Sequence, residues 1–413
     1  MLAGHMEYPT LWLKKHEERR LLAGHLWVFS NEVDTAKTPL GDFAPGDPAL
    51  VMSWRSKPLG VGYVNPGSLI ACRLCARRPS ARLDAAWLRS RLGQALKLRQ
   101  RLYPSPHYRA VYGEGDYLPG LVVDRYDTVL AVQLLTAGME KLRPQVLEIL
   151  DELFSPSVIV LRGDVRSRQL EGLPLTVEVV KGEVPEAIEV PEGPGRYAAP
   201  FTTGQKTGWF FDQRENRLRI LPMVTGARVL DVFSYVGALG VGSALAGAKE
   251  VICLDSSGLA VDQALANAKA NGVGDKVTAV KAEAAEALEG LYSEGRQFDL
   301  ISLDPPAFIK RKKDLEAGLG AYYKINRLAA KLLAPGGLLL TASCSQHLEA
   351  REFQHISAKA LAGSGRPKLL VRGGQGPDHP IHPAMPETDY LKSLLYTLAK
   401  DEAISSSLSQ ETQ

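Results

Sequence analysis

The sequence predicts an α/β protein whose C-terminal half is a parallel, doubly wound, Rossmann-like sheet, preceded by a small β barrel and a central α+β domain. Three observations predict this. Five short apolar runs, Arg228–Val232, Glu250–Leu254, Lys276–Val280, Phe298–Leu303 and Gly337–Ser343, alternate with helix-like text, and strands apolar on both faces belong to sheets covered by helices on both sides. Before Arg78 the text instead holds brief apolar runs broken by Gly, Asp and Pro, the pattern of a small all-β unit. The length, 413 residues, suits two or three such units.

Composition bounds the answer further. At 45% hydrophobic and 23% charged residues, disordered and fibrous classes are excluded. No apolar run approaches the eighteen or so residues needed to cross a bilayer, and no basic segment followed by an apolar stretch opens the chain. A non-exported, cytoplasmic protein with no membrane partner is expected. Its four cysteines, Cys72, Cys75, Cys253 and Cys344, are too few and scattered for a disulfide framework.

In chain order, residues 1–8 carry no periodic pattern and read as a disordered or tag remnant. Residues 9–80 contain the runs Ala49–Met52, Pro58–Val64 and Ile70–Leu74, set off by Gly46-Asp47-Pro48 and Leu59-Gly60-Val61-Gly62. This text resembles the PUA domain, a compact RNA-binding module. Residues 81–195 form the central domain. There Leu88, Leu92, Ala95, Leu96 and Leu102 line one stripe of a helix over Asp84–Tyr103, with Arg91, Arg99 and Arg101 off it. A hairpin around Arg125-Tyr126-Asp127, a helix over Met139–Leu153 and strands at Val158–Leu161 and Leu175–Val180 follow. Residues 196–400 hold the parallel sheet, finished by an antiparallel pair at Lys368–Val371 and Ser393–Leu398. Residues 401–413, rich in Ser and Gln, read as a disordered tail.

Charge is unevenly spread. Between Arg73 and Arg109 ten Lys or Arg residues face one acid, Asp84, a distribution that suits a polyanion. Arg73, Arg77 and Arg78 are candidate RNA contacts. So are Lys310, Arg311 and Lys312, since the run to Lys313 follows a candidate strand end directly.

Open parallel sheets bind ligands outside the carboxyl ends of their strands. The first strand ends at Asp231 and leads into a loop with Gly237 and Gly240, where missing Cβ atoms permit close approach. The Gly-x-Gly-x-x-Gly spacing is absent and a carboxylate would repel a pyrophosphate, which argues against a dinucleotide oxidoreductase. Asp255, at the second strand end, suits the two hydroxyls of a ribose. Glu283 follows the third strand and can reach an adenine edge, and Asp304 opens Asp304-Pro305-Pro306-Ala307-Phe308 after the fourth. A ribose, an adenine, an ammonium and a sulfonium without phosphate is the set S-adenosylmethionine presents.

These strand ends, with the Leu333-Ala334-Pro335-Gly336-Gly337 turn, resemble a class I methyltransferase. The segment Gly204-Gln205-Lys206-Thr207-Gly208-Trp209-Phe210-Phe211-Asp212-Gln213-Arg214 and the triplet Ser343-Cys344-Ser345 narrow the likeness to the bacterial 23S ribosomal RNA cytosine-C5 methyltransferases with an N-terminal PUA domain. That resemblance covers about Leu11 to Lys400. It implies S-adenosylmethionine as cofactor, with Phe210, Gln213 and Arg214 beside it, and 23S ribosomal RNA, free or in an assembling large subunit, as partner. A homodimer is compatible with it.

Cytosine C5 is a weak nucleophile, and its methylation begins with a thiolate adding to C6. Cys344 at the fifth strand end is the candidate thiolate, and Asp304 the group to bond the N3 and amino edge and act as general acid. Many RNA cytosine-C5 methyltransferases carry a second cysteine where Ala307 stands; the resembled subfamily lacks it. Cys253 reads as a core residue. Cys72 and Cys75 lack the further ligands of a zinc site, so no metal is expected. His379 is a candidate base in the Asp378–Pro383 loop. Two other readings compete: methylation of an exocyclic amine, since Asp-Pro-Pro with an aromatic resembles the motif that polarises amino groups, and a non-catalytic RNA-binding or assembly factor.

Overall fold

The alternation of apolar strand and helix that begins at Arg228 builds one sheet. The computed structural model describes residues 8–201 and 208–399. They gather into two compact units, one of Met1–Ile188, Pro200–Phe211 and Gly376–Asp389, the other of Glu189–Ala199, Asp212–Gln375 and Tyr390–Gln413.

The second unit holds a seven-stranded sheet of β1 (Arg228–Val232), β2 (Glu250–Asp255), β3 (Val277–Lys281), β4 (Phe298–Leu303), β5 (Leu333–Ser343), β6 (Arg366–Gly373) and β7 (Lys392–Ala399), in the order β3-β2-β1-β4-β5-β7-β6. The first five run parallel, and β7 is antiparallel to both its neighbours. The helices α1 (Ala238–Leu245), α2 (Gly258–Ala270), α3 (Ala284–Ser293), α4 (Leu315–Leu332) and α5 (Ala350–Ala362) follow strands of this sheet. Leu230, Val232, Ile301, Leu303, Leu339 and Tyr322 lie in one continuous core. The expected turn at 333–337 is absorbed into β5 as a bulge: the register with β4 steps from Phe298 opposite Leu333 to Leu300 opposite Leu338, with Gly336 supplying the left-handed residue at φ 74°.

In the first unit a five-stranded sheet orders Thr10–Trp12, Asp47–Met52, Pro58–Val64, Cys72–Ala76 and Trp27–Val28. A second five-stranded sheet orders Val177–Lys181, Val158–Arg162, Val129–Leu134, Leu121–Tyr126 and His107–Tyr112. The last strand escapes a period-two reading because a register shift between Arg109 and Val111 buries both Ala110 and Val111. The helix expected over Met139–Leu153 divides into Ala137–Lys141 and Arg143–Phe154, the second opening on Pro144, which cannot continue a preceding turn. A hairpin of Ala187–Glu192 and Gly195–Pro200 was likewise not anticipated.

The helix Ala85–Leu102 starts where Asp84 accepts a hydrogen bond from the Trp87 amide, 3.0 Å away. Its stripe of Leu88, Leu92, Ala95 and Leu96 is buried, but two positions differ from expectation. Leu102 is exposed at the frayed end, and Arg99 is fully buried. The Arg99 guanidinium forks onto Asp116 at 2.6 and 2.7 Å and also donates to the Asp378 and Arg109 carbonyls. Periodicity assigns an arginine to solvent; a buried carboxylate can draw it inward.

Because Arg99 neutralises a buried acid, Arg99→Met should lower the unfolding free energy by about 3–5 kcal/mol. Arg101→Met, on the exposed side of the same turn, should change it by under about 0.5 kcal/mol. Urea titrations of the two variants compare them directly, and equal losses would contradict the assignment.

Candidate active site

Parallel strands deliver their last residues to one edge, and β1, β2 and β4 bring Asp231, Asp255 and Asp304 to it. Asp231 is buried opposite Cys253 and Ser302 in the neighbouring strands. Burial pushes its carboxyl up to about 7; the Gly240 amide, donating at 3.0 Å, opposes the rise and the charge on Asp304 adds to it. Asp255 closes β2 and accepts hydrogen bonds from the Tyr235 and Ser257 amides, both at 2.9 Å. Glu283 sits exposed at the start of α3 with no capping bond.

The loop after β1 is strained. Phe233 and Tyr235 have φ of 64° and 49°, a left-handed conformation costing side-chain-bearing residues on the order of 1–3 kcal/mol each. Gly237 follows at φ 78° and starts α1. At Gly240 a Cβ would lie 2.3 Å from the Cys253 sulfur, so the glycine lets α1 pack onto β2.

Asp304 accepts a hydrogen bond from Gln213 Nε2 at 2.7 Å, and Asn216 Nδ2 donates to Gln213 Oε1 at 2.8 Å. Arg217, four residues after Gln213, forks onto the buried Glu192 at 2.5 and 2.7 Å. Burial works against its charge, but Glu192, Asp212 and Asp304 outweigh that and raise its pKa. Arg214 faces the same Glu192 at 3.6 Å.

The end of β5 is anchored from behind. Ser343 and Ser345 are fully buried. Ser343 donates to the Tyr322 hydroxyl at 2.8 Å, which meets Ser345 Oγ at 2.9 Å, while the Ile309 amide donates to that Oγ at 3.1 Å. Cys344 directly follows the last strand residue, between the two buried serines, and is itself half-buried. Asp304 and Cys344 thus leave adjacent strands, since Leu303 pairs with Thr341. Lys392, opposite Ser343, is buried and donates to the carbonyls of Ser345 and Tyr390 at 2.8 and 2.9 Å. The Tyr390 hydroxyl donates to Asp212.

Sequence reasoning missed Arg217, Tyr322 and Lys392. A lysine opening an otherwise apolar strand was a usable signal for Lys392; nothing local marked the others. Phe210 belongs to the first unit and is half-buried there. Of the motif that precedes it, residues 204–207 lie outside the described residues. His379 is buried in the first unit, its Nδ1 2.9 Å from Asp378 and its ring 5.1 Å from that of Tyr112. Such burial withdraws it as a proposed base. Arg73 is held by Glu171 at 3.2 Å and Glu114 at 3.7 Å, so its charge is already matched. Cys72, Cys75 and Cys253 are core residues, and burial raises each thiol, Cys72 to about 12.

Comparison with known proteins agrees with this geometry. A PUA-like domain model matches residues 11–77, and an S-adenosylmethionine-dependent methyltransferase model matches residues 120–356. Ribosomal RNA large subunit methyltransferase I of Shewanella amazonensis is 38% identical over 93% of this chain and 98% of that protein; its counterpart from Cronobacter sakazakii is 35% identical over 92% and 97%. The chain belongs to this family of S-adenosylmethionine-dependent methyltransferases. A solved structure described as such a methyltransferase from Streptococcus mutans shares the fold at a TM-score of 0.80, with 19% identity over 94% of this chain and all of that one. Another methyltransferase, solved with SAH, has a TM-score of 0.82 at 18% identity over the same shares. Among the described residues no helix is long and apolar enough to cross a membrane.

S-adenosylmethionine is the cofactor of the family, and the residues present fit it. Burial, with Asp304, pushes the Asp231 carboxyl up to about 7 against the opposing charge of Arg217, and the ammonium and sulfonium of the cofactor would bring further positive charge without phosphate. Asp231 could hold the cationic end, Asp255 the ribose and Glu283 the adenine edge.

The sign of the resulting pH dependence follows from Asp231. Its folded pKa lies above the unfolded value, so the folded chain binds the extra proton. That contribution to stability is full below about pH 4 and lost as pH rises through about 7. A bound cation favours the ionised carboxylate. Affinity for S-adenosylmethionine should therefore rise from about pH 6 to about pH 8, with proton release visible by calorimetry in buffers of different ionisation enthalpy. Asp231→Asn should flatten the profile, and an unaltered profile in that variant would remove Asp231 from the site.

Proposed function

We propose that this methyltransferase modifies C5 of a cytidine in 23S ribosomal RNA through a covalent adduct on Cys344. The observation that carries the reading is the partly exposed thiol at the end of β5, one strand from Asp304, on a backbone locked by the Ser343–Tyr322–Ser345 hydrogen bonds. The names of the relatives, ribosomal RNA large subunit methyltransferase I, support the RNA class.

The chemistry uses this chain's own groups. The cytidine leaves its stack to enter the site. Cys344 as thiolate bonds to C6, and the displaced electron pair makes C5 nucleophilic. Asp304, oriented by Gln213, holds the N3 and amino edge and delivers a proton there. The cofactor, when bound, supplies an electrophilic methyl carbon for C5. Loss of the C5 proton to water lets the carbon–sulfur bond break, and return of the N3 proton to Asp304 restores the acid, the thiolate and the neutral aromatic base. Ala307 stands where a second cysteine would assist that release.

Phe308 favours C5 over an exocyclic amine. Amino methyltransferases need an aromatic directly after Asp-Pro-Pro to stack on the base; here Ala307 takes that position, and Phe308, one residue later, is half-buried with its ring 4.8 Å from that of Tyr322. For RNA phosphates the reading uses Lys310 and Lys312, exposed a few residues beyond Asp304. The neighbouring Arg311 pairs with Asp314 at 3.0 Å, an exposed contact easily exchanged for phosphate.

Incubation of transcribed ribosomal RNA with labelled cofactor, followed by nucleoside mass spectrometry, should yield 5-methylcytidine. Cys344→Ala should lower turnover by at least about a thousandfold, as expected for a lost nucleophile, while binding S-adenosylmethionine as before. An N4-methylated product with full activity in Cys344→Ala would overturn the C5 reading.

A further inference from the structure

Most of the basic residues between Arg73 and Arg109 that the structure ties down are tied to acids. Arg73 meets Glu114 and Glu171, Arg89 meets Glu152, Arg99 meets Asp116 and Arg109 meets Asp124. Three others behave differently. Arg77, Arg78 and Arg91 are in no ion pair among the described residues, and all three line one cavity of about 240 Å³ in the first unit. Arg77 and Arg78 are exposed and Arg91 is half-buried, so their charges are open to an arriving anion.

The cavity is built rather than incidental. Arg77 donates to the Leu21 and His25 carbonyls at 2.6 and 2.9 Å, which fixes its plane and leaves the remaining N–H groups of the fork available. Leu74 and the inert Cys75 form apolar wall. Opposite them stands Tyr117, 39% exposed and held at φ 57°, a strained backbone for a tyrosine. The Arg91 guanidinium lies 5.2 Å over its ring and His382 meets it edge-on at 5.0 Å. The nearby carboxylate, Glu114, is occupied by Trp27 Nε1 at 2.8 Å as well as by Arg73.

We propose that this cavity is a second RNA subsite, distinct from the catalytic edge, which takes one nucleotide of the substrate strand. Its phosphate bridges Arg77, Arg78 and Arg91, and its base lies against the Arg91–Tyr117 pair. Phosphate needs multiple donors in fixed directions and a base needs a flat polarisable partner; here both line one cavity. The inference rests on the reading of the protein as an RNA methyltransferase and extends the contact surface far in sequence from Cys344.

Two variants of the full chain separate the contributions, each checked for unchanged S-adenosylmethionine binding by calorimetry. With transcribed 23S ribosomal RNA in filter binding, Arg78→Gln with Arg91→Gln should raise the Kd roughly tenfold and reduce the salt slope by about 1.4, or 0.7 for each single-strand phosphate contact. Tyr117→Ala should raise the Kd roughly fivefold or more and leave the salt slope unchanged, as loss of a stacking partner requires. Wild-type Kd and slope in both variants would overturn the subsite and leave the methyltransferase reading standing. Failure of the wild-type chain to bind this RNA would overturn both.

Discussion

A parallel sheet sends every strand's last residue to the same edge, and in this protein that edge collects carboxylates. Asp231, Asp255 and Asp304 end or follow three neighbouring strands, so their charges oppose one another, and the effect falls on Asp231, the buried one of the three. The molecule meets this constraint in three ways. Asp231 is pushed to about 7, Asp255 is bonded by two amides, and Asp304 is bonded by Gln213 and lies in the field of Arg217. A sulfonium cofactor held here would bring positive charge to this edge without phosphate. The strained loop at Phe233 and Tyr235 belongs to the same arrangement, since its Tyr235 amide is one of the two donors that hold Asp255.

The same edge decides which thiol is useful. All four cysteines are similar as residues, yet Cys72, Cys75 and Cys253 are buried with raised thiols, and a thiol that cannot ionise or be reached is no nucleophile. Cys344 differs in being half-buried, on a backbone held at both sides by Ser343 and Ser345 through Tyr322. Tyr322 therefore ties down the backbone on both sides of Cys344. Lys392 adds a second tether at the Ser345 carbonyl.

Much of this was legible in the sequence because it rests on local rules. The five parallel strands and the antiparallel closing pair follow from apolar runs of the right length, and the acids at strand ends from position alone. The helix from Asp84 was readable from its apolar stripe. What was hidden depended on partners far away along the chain. Arg99 looks like a surface arginine until Asp116 and the Asp378 carbonyl are brought to it. Arg73 looks like an RNA contact until Glu171 arrives, a hundred residues later in sequence. The serines around Cys344 read as polar neighbours that keep it out of the core; they are themselves fully buried, and Cys344 between them is half-buried. His107–Tyr112 was lost to a register shift, which erases the alternation that reveals a strand.

The central claim is that Cys344 forms a bond to the base, and mechanism-based trapping tests it most directly. RNA in which cytidine is replaced by 5-fluorocytidine lacks the C5 proton whose loss frees the enzyme, so elimination stalls after methyl transfer. Incubated with the protein and S-adenosylmethionine, it should give a complex that survives denaturation, with peptide mapping placing the RNA on Cys344, and Cys344→Ala should give none. Methylation of the unmodified RNA with no trapped complex, or a complex attached at another residue, would contradict the account.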